Sequence, residues 1–126
     1  NPFTAGERIL MISRALDEIN TDKKIYIIPL EDIYRNSLWV SHVRSMVPPF
    51  DVVYSNNPLV TRLFGEGGFA VRRTELRNRR VYQGTEIRRR ILEEKDWEEL
   101  VPEVVMKTII EVGGIQRLKD ISGSDV

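Results

Sequence analysis

Two short, uninterrupted apolar runs set the terms for what this chain can fold into: KIYIIPL at 24–30 and FDVVY at 50–54. Neither alternates apolar with polar residues, so each reads as a strand covered on both faces, the habit of a parallel sheet. Parallel strands need a crossover between them, and helix-length segments lie on either side of both runs. A Thr4–Glu7 capping box followed by Ile9, Ile12, Leu16 and Ile19 predicts a helix over about 4–20. Asn36 is the expected N-cap of a second helix from about Ser37, carried by Val40, Val43 and Val47 and stopped by Pro48-Pro49. Asn57-Pro58 opens a third, with Leu59, Leu63 and Phe64 on its apolar side. Gly65 to Gly68 ends it, and a third strand is expected over about 69–73.

The rest of the chain reads as helical. Residues 74–82 are polar, rich in arginine and irregular. Gly84-Thr85 then opens a helix through Ile87, Ile91 and Leu92, and Trp97, Leu100 and Val101 form a small apolar cluster. Pro102 starts another helix with Val105, Ile109 and Val112 on one face. Gly113-Gly114 breaks it, Ile115, Leu118 and Ile121 mark a further helical stretch, and residues 122–126 read as a frayed tail. The order implies an α/β fold with a parallel sheet, in one domain over 1–126. Residues 1–83 supply sheet and crossover helices, and residues 84–122 the later helices. Three strands behind an opening helix look incomplete. Together with Asn1 in place of an initiator methionine, this leads to the expectation that the chain is part of a longer protein.

Composition narrows the function classes. Nineteen Lys and Arg balance nineteen Asp and Glu, so net charge gives no general pull towards nucleic acid or an anionic membrane. With no cysteine, disulfides, thiolate catalysis and cysteine-ligated zinc are excluded, which fits a reducing, cytoplasmic setting. No apolar run approaches the roughly 18 residues of a membrane helix, and no signal peptide is visible.

Open parallel sheets bind ligands beyond the carboxyl ends of their strands, which selects three segments. After 24–30, Asp32 and Asn36 can hydrogen-bond a polar ligand and Trp39 can stack on a flat ring. A loop acid, a cap and a core indole would account for the same residues. After 50–54, Ser55, Asn57 and the helix start can receive phosphate or a base edge, or Asn57 can serve simply as a cap. At 82–90, Gly84 permits close approach, and Thr85 offers its hydroxyl and the helix amides. Arg88 follows on the same side of the first turn; together these make a polyphosphate clamp. Arginines this early oppose the helix dipole, a local conflict of the kind that function explains; the plain alternative is a solvated basic face. The arginines at 72–90 lack interleaved aromatics apart from Tyr82, which ranks a nucleic-acid patch below phosphate binding. His42, the only histidine, reads as a partly buried or surface residue rather than a catalytic one, and a histidine-based metal site is not expected.

Taken in order, NPFTAGER (1–8), IPLEDI (28–33), NSLW (36–39), PFDVVYS (49–55), NPLV (57–60), GTEIRRR (84–90) and GIQRL (114–118) resemble the archaeal-type nicotinamide-mononucleotide adenylyltransferases of the nucleotidyltransferase superfamily. The resemblance covers nearly the whole chain. It implies a Rossmann-like sheet with flanking helices and a helical C-terminus, an incomplete form of that fold. It also implies transfer of the adenylyl group of ATP to nicotinamide mononucleotide (NMN), giving NAD and pyrophosphate. Trp39 would stack on the nicotinamide ring, with Asp32, Ile33 and Asn36 around the ring and its carboxamide and Arg8 near phosphate. Ser55 and Asn57 would lie by the adenosine, and Gly84, Thr85 and Arg88 would hold the ATP phosphates, Arg88 being the expected catalytic group. Magnesium would arrive on ATP rather than in a protein cage, the partners would be small nucleotides, and the enzyme would be a homo-oligomer.

Gln83 stands where the family's second motif usually has serine, and Asn56 where glycine usually follows the first serine. The family's opening strand, histidine-bearing phosphate loop and second strand have no counterpart in this sequence, so the 126 residues alone are expected to be inactive. A sister enzyme using nicotinate mononucleotide, FMN or pantetheine phosphate is the nearest alternative. A non-catalytic nucleotide- or RNA-binding module is the alternative from another class.

Overall fold

A computed structural model describes residues 1–75 and 78–123. Helix α1 (Ala5–Asp17) begins as the sequence dictates. The Thr4 hydroxyl accepts the Glu7 amide, and the Glu7 carboxylate accepts the Thr4 amide, closing the capping box. After α2 (Asn36–Met46) comes strand β1 (Val52–Tyr54), then α3 (Pro58–Glu66) and strand β2 (Ala70–Arg72). Four further helices follow: α4 (Arg79–Tyr82), α5 (Gly84–Leu92), α6 (Glu103–Glu111) and α7 (Gly114–Gly123), with a single 3-10 turn at Glu98–Leu100. β1 and β2 are parallel, with Val52 opposite Ala70, Val53 opposite Val71 and Tyr54 opposite Arg72, and α3 is their crossover. The fold is therefore α/β with a small parallel sheet, flanking helices and a helical C-terminus.

Four expectations are corrected. Residues 24–30 are not a strand: a strand exists through its ladder, and among the described residues the sheet has two strands, β1 and β2. Pro29, with no N–H to donate, weakens the run further. Asn36 does not cap α2. Arg35 holds the cap position in extended backbone (φ −125°, ψ 102°), no side chain caps the helix, and Asn36 is its first residue. Residues 79–82 form α4 rather than irregular chain. Of the tail expected to fray, Ser122 and Gly123 belong to α7; 124–126, like 76–77, lie outside the described residues.

The chain forms two compact units, Asn1–Ile27 with Arg77–Val126 and Ile28–Leu76. The first is built on α1, α5, α6 and α7 around buried Met11, Ile91, Trp97, Ile109 and Leu118. Its chain start is pinned down: Phe3 lies against Gly114, where a Cβ would stand only 2.6 Å from the ring. Arg117 donates to the Pro2 carbonyl and to both Glu7 carboxylate oxygens. Those hydrogen bonds from Arg117, followed by the Thr4 amide, hold the Glu7 carboxyl at about 2, well below its ordinary 4.5. The second unit packs α2 and α3 with the β1–β2 pair. Its centre is aromatic: Phe50 stacks on Phe69 at 4.9 Å between centroids, and buried Phe64 meets both edge-on.

Candidate functional site

Within the second unit a cavity of about 250 Å³ is lined by Leu30, Asp32, Arg35, Asn36, Trp39 and Asn57, floored by Leu59, Val60 and Leu63 of α3. Its polar groups come from the loop before α2 and from the start of α3. The indole of Trp39 lies at the end of the first turn of α2, half-buried. An apolar floor, one flat aromatic wall and a few convergent polar groups are the make-up of a small-molecule site. Four of the residues selected from sequence thus line one cavity: Asp32, Asn36, Trp39 and Asn57. Ile33 and Ser55 are not among its lining residues.

The loop over this cavity is held in an unusual shape. Asp32 Oδ1 accepts the Tyr34 amide at 2.8 Å, an Asx turn, and Tyr34 carries left-handed backbone (φ 55°) with its ring almost wholly exposed. A left-handed, non-glycine residue costs on the order of 1–3 kcal/mol and persists where its surroundings impose it. The turn after β1 is tied as tightly. Ser55 Oγ accepts the Asn57 amide, and Asn57 Oδ1 accepts the amides of Leu59 and Val60 as the cap of α3. Asn56 bridges to Thr74 through two hydrogen bonds of 3.0 Å. Asn56 is not left-handed, so asparagine here serves as a link between the turns that follow β1 and β2.

The first unit carries the arginine-rich helix α5. Gln83 stands at its N-cap in extended backbone and its side chain caps nothing, so the helix start is left open to another acceptor. The three successive arginines behave differently. Arg89 binds Glu86 at 2.6 Å and also Glu93, and Arg90 binds Glu86 at 3.0 Å. Hydrogen bonds from Arg89 first and Arg90 second hold the Glu86 carboxyl at about 2. Arg88 has no carboxylate partner among the described residues, and its guanidinium folds back over Gly84, with Nη1 2.9 Å from where a Cβ would stand. Gly84 and Arg88 thus come together at an uncapped helix start, with Thr85 exposed beside them, while the one acid of that turn is already neutralised. Cation and open amides are what a phosphate requires. Arg8, exposed on α1, reaches its Thr4 carbonyl through Nε at 3.4 Å.

Two features escaped the sequence reading. Arg35 lines the cavity, and only its place between Asp32 and Asn36 hinted at it. Glu86, three and four residues before Arg89 and Arg90, had the spacing of a helical ion-pair network, which singles out Arg88 by elimination.

Comparison with known proteins supplies the family. No protein-family model matches the chain. It is 68% identical over 129 residues to the nicotinamide-nucleotide adenylyltransferase of Archaeoglobus fulgidus, covering 99% of this chain and 74% of that protein. It is 55% identical to the enzyme of that name from Methanolobus tindarius, covering 99% of this chain and 71% of that protein. Against the one from Methanothrix thermoacetophila it is 58% identical, covering 99% and 72%. At that identity, over that share of both partners, this chain belongs to the archaeal nicotinamide-nucleotide adenylyltransferases.

Proposed function

We propose that this chain, within the full-length protein, serves the reaction for which its relatives are named, adenylyl transfer from ATP to NMN in the making of NAD. The observation that carries the reading is the cavity in which Trp39, Asp32 and Asn36 converge, in a chain so similar to enzymes of that name. In this reading the indole stacks on the pyridine ring, Asn36 and Asp32 hydrogen-bond the carboxamide with Ile33 beside it, and Arg8 serves the mononucleotide phosphate. Ser55 and Asn57 lie towards the adenosine, and Gly84, Thr85 and Arg88 take the ATP phosphates.

The chemistry is a single in-line displacement. A 5′-phosphate oxygen of NMN attacks the α-phosphorus of ATP, a new P–O bond forms, the bond to the bridging α,β-oxygen breaks, and pyrophosphate leaves with the negative charge. No proton need move and no covalent enzyme intermediate is required, so catalysis rests on positioning and charge stabilisation. Arg88 and the open amides of α5 meet the charge that builds on the leaving group. Magnesium bound to ATP would supply further charge neutralisation. The guanidinium and amides at α5 suit phosphate rather than a cation, and among the described residues no three acidic or histidine side chains gather as a metal site; no protein ligand is therefore assigned to the ion.

With soluble nucleotides as its substrates, the proposed reaction belongs in the cytoplasm; separately, among the described residues no helix is long and apolar enough to cross a membrane. Half-exposed Ile12 and Ile19 on and beside α1 give a copy of the chain an apolar surface to cover, in keeping with a homo-oligomer.

The test is Trp39→Ala in the full-length protein. Loss of the stacking wall is expected to raise the KM for NMN about tenfold or more, in line with 1–3 kcal/mol for stacking on a flat base, with the KM for ATP little changed. A thermal-shift comparison separates the sister activities: NMN should stabilise the protein. Stabilisation by FMN with NMN silent would overturn the reading.

A further inference from the structure

His42 stands outside the roles given above, yet it contacts Trp39, which lines the nicotinamide-side cavity, and Glu31, which lies in the chain between the lining residues Leu30 and Asp32. Its Nε2 lies 2.9 Å from the Glu31 carbonyl oxygen, eleven residues back. A carbonyl can only accept, so Nε2 carries the proton and donates it. Glu31 immediately precedes Asp32. The other hydrogen bonds of this loop are local: the Tyr34 amide to Asp32, and the Leu38 amide to the Arg35 carbonyl. The bond from His42 therefore ties the start of the loop to the body of α2. On its other side the imidazole packs against the Trp39 indole, 5.6 Å between centroids and tilted by 43°. The two residues are three apart on α2, where side chains share a face.

We propose that His42 is a positioning residue for the nicotinamide side of the site, setting the distance between the Asp32 loop and the Trp39 ring without touching substrate. The inference rests on the assignment of this cavity to the nicotinamide ring. A ring stacked on one wall needs its polar partners at a fixed height, and misplacement by about 1 Å is enough to cost a large factor in rate or affinity. Tyr34 gives the loop a strained backbone that would relax on release, which is why one imidazole bond has leverage here.

The experiment uses the full-length protein with four variants. His42→Phe keeps a ring against Trp39 but removes the donor. His42→Gln keeps a donor of similar reach and removes the ring. Trp39→Ala tests the cavity itself, and Arg44→Ala, on an exposed position of the same helix, is the control. His42→Phe is expected to raise the KM for NMN about tenfold, the cost of one well-placed hydrogen bond, and to leave the KM for ATP within about twofold of wild type. His42→Gln is expected to recover most of that loss. A role confined to folding would move both KM values together or show no rescue by glutamine, and either result overturns the inference. If His42→Phe leaves the KM for NMN unchanged while Trp39→Ala raises it, His42 has no positioning role and the cavity assignment stands. If neither variant moves it, the cavity assignment itself fails.

Discussion

The Arg88 guanidinium lies across the α-carbon of Gly84, so closely that a methyl group there would stand 2.9 Å from Nη1. The atom in the way is the far end of a flexible side chain and not backbone, so Gly84→Ala should displace the guanidinium without disturbing the helix. Alanine also loses less backbone entropy than glycine on entering the helix. The expected outcome is a melting temperature equal to or slightly above wild type with a KM for ATP about tenfold higher, as befits a misplaced charge-assisted contact. Thermal denaturation and steady-state kinetics on one preparation of the full-length protein check it; unchanged kinetics would remove Gly84 from the phosphate site.

Neighbouring arginines of α5 should separate stability from turnover. Arg89 is committed to Glu86 and Glu93, whereas Arg88 is paired with no acid among the described residues. Arg88→Ala is expected to leave the melting temperature unchanged and lower kcat about a hundredfold, the usual effect of losing one group that stabilises developing charge. Arg89→Ala should do the reverse, lowering the melting temperature slightly and leaving kcat close to wild type. Equal losses of turnover in the two variants would show that α5 presents a general basic face.

The chain start carries a pH dependence of defined sign. Glu7 is held at about 2 against an ordinary 4.5, so the folded state binds its proton less readily than the unfolded state. Its contribution to stability is complete above about pH 4.5 and is lost as the pH falls towards 2. Glu7→Gln removes the charge that Arg117 grips. The melting temperature of the variant should therefore lie below wild type by a constant margin near neutrality, with the margin closing between pH 4.5 and 2. A margin independent of pH would mean that the Glu7–Arg117 pair contributes nothing electrostatic.

Local signals carried most of what sequence could tell. The Thr4–Glu7 box and the Asn57-Pro58 start need only residues within one helical turn, and both appear as read. The run at 24–30 failed because an apolar pattern reports burial, whereas a strand also needs a neighbour to bond with, and pattern says nothing of the neighbour. Asn36 has the residue type of a cap, but the cap falls where the backbone leaves the helix, at Arg35. In the candidate site, Asp32, Asn36, Trp39 and Asn57 were legible as polar and aromatic groups at element ends. Arg35 and the link from His42 to Glu31 depend on how a loop folds back across eleven residues, which no local spacing encodes.

Gly114 tests the packing that holds both chain ends of the first unit together. It is buried at the start of α7, and a Cβ there would stand 2.6 Å from the Phe3 ring and 3.0 Å from the Ile109 carbonyl oxygen. Backbone on one side leaves the strain no cheap relief, and Phe3 would have to move away from the core that it covers. Gly114→Ala is expected to destabilise by about 1–3 kcal/mol, the range for overpacking a filled site, despite the gain in helix propensity. Phe3→Ala in the same chain removes the nearest obstacle. The second substitution should therefore cost less in the Gly114→Ala background than in wild type, a coupling that a double-mutant cycle of denaturant midpoints measures directly. Strictly additive effects would show that Phe3 does not rest on Gly114.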